Sequence, residues 1–116
     1  MVGRWIKHWD KSSKDKDKIR TIVIPQLAGL TEMPIEGAVE LHIDYIMQIP
    51  KSLSKRKRIA LVGCPHISKG DIDNILKMTL DALVGLLYVD DRQIYSISAK
   101  KVYGNEPRTE ISWVKV

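Results

Sequence analysis

Apolar and polar residues alternate from Val39 to Ile49. Val39, Leu41, Ile43, Tyr45, Met47 and Ile49 fall on one side, with Glu40, His42, Asp44 and Gln48 on the other. That is the period of a half-buried strand, and Ile46 is its one apolar exception on the wetter face. Pro50 ends the run, and Ser52 or Ser54 is placed to cap a short basic helix reaching about Leu61. Val62-Gly-Cys-Pro-His66 reads as a loop. From Asp71 to about Val84 the period changes. Ile72, Ile75, Leu76, Leu80 and Leu83, with Thr79 on the same stripe, have the spacing of an amphipathic helix that Gly85 stops. Two more strands are predicted near 93–103 and 109–116. Tyr95, Ile97, Ala99 and Tyr103 share a face in the first, Ile111 and Trp113 in the second, and Gly104-Asn-Glu-Pro107 turns between them.

The first third of the chain is less regular. Arg4-Trp5-Ile6-Lys7-His8-Trp9 could be a short strand or a hook, and the lysine-rich tract 11–18 reads as solvated. Positions 19, 22, 23, 27 and 30 fit a helix, although Thr21-Ile-Val-Ile24 also permits a strand. Pro25 removes one backbone bond, so the reading is a kinked helix. The pattern as a whole predicts one α/β (α+β) domain over 1–116, a mixed or antiparallel sheet with helices packed on one face. Residues 1–18 form a short N-terminal segment.

Composition sharpens this picture. The 116 residues suffice for one core, and 44% hydrophobic with 28% charged residues is ordinary for a globular protein. No apolar run approaches the roughly 20 residues that span a bilayer, so the expectation is a cytoplasmic protein without a membrane partner. A lone cysteine, Cys64, leaves no internal disulfide and fits a reducing compartment. The net charge of +5 favours a polyanionic partner. Its densest cluster is Lys51 with Lys55-Arg56-Lys57-Arg58, and Lys69 and Arg92 stand beside acidic motifs. These seven cations are the candidate DNA phosphate contacts, against the alternative of a plain solvated surface.

Those acidic motifs carry the chemistry. Gly70-Asp-Ile-Asp-Asn-Ile-Leu-Lys77 and Tyr88-Val-Asp-Asp-Arg-Gln93 supply four carboxylates, the Asn74 amide and a lysine. Carboxylate oxygens suit Mg²⁺ or Mn²⁺, which keep positions open for substrate phosphates. Asp71 precedes the predicted helix and Asp73 lies in its first turn, so the pair can converge on an ion. One of Asp90 and Asp91 should face that pair if they lie on a strand. Asp73, Lys77 and Asp81 follow at steps of four along the helix, away from its apolar stripe. Lys77 could hold a scissile phosphate. Each piece has a plainer reading as well: a helix cap, a turn, surface ion pairs.

Together these blocks resemble the RusA family of Holliday junction resolvases. The matching residues are Asp71-Ile-Asp73-Asn74-Ile-Leu-Lys77, Leu80-Asp81-Ala82-Leu83 and Tyr88-Val-Asp90-Asp91-Arg-Gln93-Ile94. Pro50 to Lys55, Pro65-His66 and the stretch from Lys100 to Ile111 add to them, so that the likeness covers about 36–116. It implies a homodimeric, Mg²⁺-dependent endonuclease, with Mn²⁺ as a substitute, in a bacterial or phage setting. Such an enzyme cuts four-way DNA junctions by paired symmetric nicks in recombination and repair, leaving 5′-phosphate and 3′-hydroxyl ends. On that likeness Asp71, Asp73 and Asp91 hold metal, Lys77 is catalytic, and Asn74 and Asp90 support the site, with Asp81 nearby. Gly70 stands where many relatives have proline, and the segment before the first helix is shorter than usual. A non-catalytic binder of branched DNA and a less selective metal nuclease are the alternatives. Cys64, His66, His8 and His42 lack zinc-site spacing. Trp5, Trp9 and Trp113 read as packing residues, and Lys100 and Lys101 as surface.

Overall fold

The computed structural model describes residues 2–8, 16–27, 30 and 33–116, with side chains from Ile19 onward except Ile22. Residues 9–15, including Trp9 and most of the lysine-rich tract, and the side chains of Trp5 and His8 lie outside that description. The segment read as strand or hook is a strand, β1 (Val2–His8). Helix α1 (Lys16–Leu27) runs through Pro25, and β2 (Val39–Gln48) is followed by α2 (Lys55–Leu61) and α3 (Ile72–Leu83). A 3-10 turn over Asp91–Gln93 leads into β3 (Ile94–Gly104), and β4 (Arg108–Lys115) completes the fold. Among the described residues no helix is long and apolar enough to cross a membrane.

The strands form one mixed sheet in the order β1-β4-β2-β3. Strand β4 pairs antiparallel with both β1 and β2, whereas β2 and β3 are parallel. Parallel neighbours need a crossover, which α2 and α3 supply. The alternation in β2 has the predicted consequence: Val39, Leu41, Ile43 and Tyr45 are buried. They meet Ile111 and Trp113 of β4, Ile19, Val23 and Leu27 of α1, and Ala82 and Leu83 of α3 in one core. The opposite face of the sheet is polar. There His42 bridges Glu40 (3.0 Å) and Ser98 (2.6 Å), and Arg108 pairs with Glu110 at 3.2 Å.

Helix α3 is held mainly at its C-terminal half. Arg20 of α1 donates to the carbonyls of Ala82 and Val84 (3.2 and 2.7 Å), filling part of the acceptor set that every helix end leaves open. The Tyr88 hydroxyl donates to the Leu80 carbonyl at 2.6 Å, and Tyr45 shares a buried 2.7 Å hydrogen bond with Thr79. Ile72, placed on the apolar stripe by its spacing, is instead exposed. The buried residues of α3 are Thr79, Ala82 and Leu83, so its first turn extends beyond the core. Ser54 is the cap of α2, its hydroxyl accepting from the Lys57 amide.

Ile46, the exception on the polar face, lies over Gly104: a β-carbon at Gly104 would collide with the Ile46 side chain. Gly104→Ala should therefore cost about 1–3 kcal/mol, read as a lowered melting temperature, and Ile46→Ala should relieve part of that loss in the double variant. Alkaline pH supplies a second expectation. Burial pushes Tyr45 up to about 12, with the Thr79 bond opposing, and burial followed by the Asp91 and Asp81 charges also raises Tyr88. In the unfolded chain both lose their protons near about pH 10. Their contribution is thus complete below pH ~10 and is lost as pH rises towards ~12. The melting temperature should hold to about pH 10 and then fall, less steeply in Tyr45→Phe.

Candidate metal centre and nucleic-acid interface

Asp71 is the N-cap residue of α3, yet its carboxylate makes no capping hydrogen bond. The plainer reading of Asp71 as a helix cap is therefore not realised, and its oxygens face solvent beside those of Asp73, also exposed. Asn74, Lys77 and Asp81 are exposed too. Among the described residues no ion pair joins Lys77 to Asp73 or Asp81, which leaves the lysine available.

The loop that delivers Asp71 is tied to the end of β3. The Gly63 amide donates to the Tyr103 carbonyl (2.9 Å), that of Tyr103 to Cys64 (2.9 Å), and that of His66 to Lys101 (3.0 Å). The His66 ring packs edge-on against Tyr103 with centroids 4.8 Å apart. Burial, and then the Lys101 charge, lower its affinity for a proton. Ser68 hydrogen-bonds the Tyr103 hydroxyl at 3.2 Å, and the Lys101 ammonium binds the Gly70 carbonyl. Lys101, read from sequence as plain surface, thus fixes the residue next to Asp71; charge alone carried no signal of that role. Gly70 has φ 111°, a value closed to proline, so the loop takes a path that a proline at this position would forbid.

The second acidic motif divides its labour. Asp90 caps the 3-10 turn, its side chain accepting from the Arg92 amide at 2.9 Å, while Gln93 reaches back to complete a capping box. That amide hydrogen bond, ahead of the Arg92 charge, holds the Asp90 carboxyl below the usual carboxylate range. The Arg92 side chain lies 3.4 Å from it. Asp91, inside the turn, is exposed. Because the pair sits on a cap and a turn, strand alternation does not decide which one is the more exposed; capping does.

Gln93 is the residue that sequence reasoning left without a role. Its Oε1 accepts from the amides of Val89 and Asp90 (both 2.8 Å), and its Nε2 donates to the carbonyls of Ile35 (2.7 Å) and Gly37 (2.8 Å). Only its place four residues after Val89, next to a strand, hinted at this.

The two acidic motifs do not meet within one chain. In a parallel crossover the helix runs back against the strands, so α3 starts beside Lys101, late in β3, and ends near Tyr88, before β3 begins. Asp91, whose charge acts on Tyr88 together with that of Asp81, belongs to the far end of α3. At ~1.5 Å per residue the helix separates the motifs by roughly 18 Å. Among the described residues no three His, Cys, Asp or Glu side chains are placed to share an ion. The expectation that Asp71, Asp73 and one of Asp90 and Asp91 converge is therefore not met by a single copy. Of the cations, Lys51, Lys55, Arg56, Lys57, Lys69 and Arg92 are exposed and Arg58 is half-buried. Lys69 precedes Gly70, and α2 leads through the 63–66 segment into the same loop.

Gln93→Ala should cost about 1–3 kcal/mol by stripping partners from two amides and two carbonyls. Thermal melting measures the loss, and faster amide exchange confined to 35–37 and 88–93 would locate it.

Comparison with known proteins places these features in a family. A family model described as endodeoxyribonuclease RusA matches residues 7–113. An uncharacterized protein of Bacillus subtilis (strain 168), YqaN, is 37% identical over 84 residues, or 69% of this chain. The matched stretch spans 59% of that relative's length. With the model matching nearly end to end, the chain belongs to the RusA family of endodeoxyribonucleases.

Proposed function

We propose that this protein is a divalent-metal-dependent endonuclease that resolves four-way DNA junctions by paired, symmetric nicks in recombination and repair, acting as a homodimer. The observation that carries the proposal is the pair of uncommitted carboxylates on the first turn of α3, with Lys77 one turn along and a basic segment feeding the same loop. Family membership supports the reaction class.

The donor set fits a hard cation: Asp71 and Asp73 offer exposed oxygens free of capping bonds, and Asp91 offers a third carboxylate on a stiffened turn. Asp71, Asp73 and Asp91 would hold Mg²⁺, or Mn²⁺ in its place, while Asp90 and Asn74 shape the surroundings. Such an ion acidifies bound water and offsets the charge of the phosphate and the leaving oxygen. Lys77 would hold the scissile phosphate, and Lys51, Lys55, Arg56, Lys57, Arg58, Lys69 and Arg92 the flanking ones, which makes affinity strongly salt-dependent.

The separation of the motifs along α3 supports a site shared between two copies, with Asp71 and Asp73 from one and Asp91 from the other. A two-fold dimer then carries two such sites, matching the near two-fold symmetry of a junction.

The separation in one copy also favours a second reading, a junction-binding protein without catalysis, and one experiment decides between them. With Mg²⁺, the wild-type protein should nick a synthetic four-way junction in preference to linear duplex. Asp73→Asn should lower nicking more than about a hundredfold while binding persists. Asp91→Asn should do the same. A mixture of these two inactive variants should recover nicking, because each mixed dimer holds one intact shared site. Wild-type protein that shifts junction DNA but never nicks it would establish the binding reading. No recovery on mixing would place all three carboxylates in one copy.

A further inference from the structure

Strand β3 is one of the two outer strands of the sheet, and the described residues cover only part of its free edge. The 63–66 segment pairs with residues 101–103, through the His66, Gly63 and Tyr103 amides and the bridge Pro65–Val102. No described residue pairs with the outer edge of 95–99. An unpaired strand edge is a template for another strand, and it is usually blunted by charge, proline or a covering loop. Residues 95–99 carry none of these; the one irregularity is a register shift between Ile94 and Ser96 at the start of the strand. Tyr95 is 62% and Ile97 40% exposed, and two further exposed apolar residues flank the edge: Ile67, 91% exposed, at the 63–70 loop, and Val89, 53% exposed, before the 3-10 turn.

We infer that residues 95–99 of β3 form the dimer interface, pairing antiparallel with the same residues of a second copy, with Ile97 on the two-fold axis. This rests on the homodimer proposed above and supplies its geometry.

The register follows from symmetry and from the hydrogen bonds already made. Two antiparallel copies of one strand are related by an axis normal to the sheet, which preserves faces, so the axis must pass through a residue rather than between two. From Ser96 onward, where the pairing with β2 is regular, the outward-pointing backbone groups are those of odd-numbered residues, because Lys101 and Tyr103 are the ones that bond the 63–66 segment. An axis at Ser98 would require the Lys101 carbonyl, which His66 already occupies. An axis at Ile97 uses only 95, 97 and 99: the Ile97 pair forms two backbone hydrogen bonds, and the flanking pairs of Tyr95 with Ala99 lie at the register shift of β3 between Ile94 and Ser96. Across the interface Ile97 then meets its own copy, exposed Tyr95 lies opposite small Ala99, and Ser96 lies opposite Ser98. The sheets join into one with all helices on the same side. Continued past the pairing, this register sets Lys101 of one copy level with Gln93 of the other. That brings the loop leading to Asp71 alongside the 3-10 turn of the second copy that carries Asp91, and it covers Ile67.

Cysteine cross-linking tests the register in a Cys64→Ser background. Ser96 and Ser98 form a non-hydrogen-bonded pair, with α-carbons about 4.5 Å apart, within disulfide range. Mixing Ser96→Cys chains with Ser98→Cys chains under mild oxidation should give a cross-linked dimer, whereas neither alone should cross-link. Ile97→Lys places two like charges on the axis. It should sediment as a monomer, with an unchanged far-UV spectrum and melting temperature, at concentrations where the wild type is dimeric. Persistence of the Ile97→Lys dimer, or cross-linking of Ser98→Cys to itself, would overturn the register while leaving the homodimer intact. A wild-type protein that is monomeric in solution and on junction DNA would overturn both.

Discussion

The parallel pairing of β2 with β3 is the constraint from which the rest of the structure follows. Two strands running the same way cannot be joined by a tight turn, so the chain must travel back over one face of the sheet. That return is α3, and its direction is set by the strands rather than by its own sequence. Once it is set, residues at the start of α3 lie by the far end of β3, and residues after α3 lie by its beginning. The acidic motifs occupy those two positions. Their distance is therefore a property of the topology, and no rotamer change in one chain removes it.

Within each motif the backbone decides which oxygens are available. Asp90 spends its carboxylate on the amide of a 3-10 turn, whereas its neighbour Asp91, inside the turn, is exposed. At the other motif the N-cap position is occupied by a residue that makes no capping bond. The helix start is instead oriented from outside, through Lys101 and the Gly70 carbonyl. Anchoring is also uneven along α3: Arg20, Tyr45 and Tyr88 all engage its second half. Packing stiffens the end that builds the core and leaves the end bearing Asp71 and Asp73 in solvent.

Most of the elements were legible because their periods are clean. The alternation in β2, the step-of-four spacing in α3, and the caps at Ser54 and Gly85 each report a local force that the fold does not oppose. Ile19, Val23 and Leu27 likewise share one buried side of α1, which runs through Pro25 in its last turn. The misreadings have a common origin in tertiary placement. Ile72 has the right spacing for burial but lies past the last neighbour that could cover it. Lys101 looks like any surface lysine until a loop folds back against it. The expected meeting of the two carboxylate pairs failed for the same reason, since composition and spacing show which ligands exist and not how far a crossover carries them apart.

The four hydrogen bonds of Gln93 have a consequence for which substitutions this position tolerates. Glutamate keeps the length but offers no proton to the carbonyls of Ile35 and Gly37, and it would set a negative charge against them. Asparagine keeps both functions on a stem one methylene shorter, out of reach of one side or the other. Arginine has donors but no acceptor, and a neutral histidine has a single N–H where two carbonyls must be served. Of the twenty side chains, only one has the reach and the mixed polarity to knit the strip before β2 to the acidic turn, so drift at residue 93 is closed off although the side chain touches no core and contributes no charge.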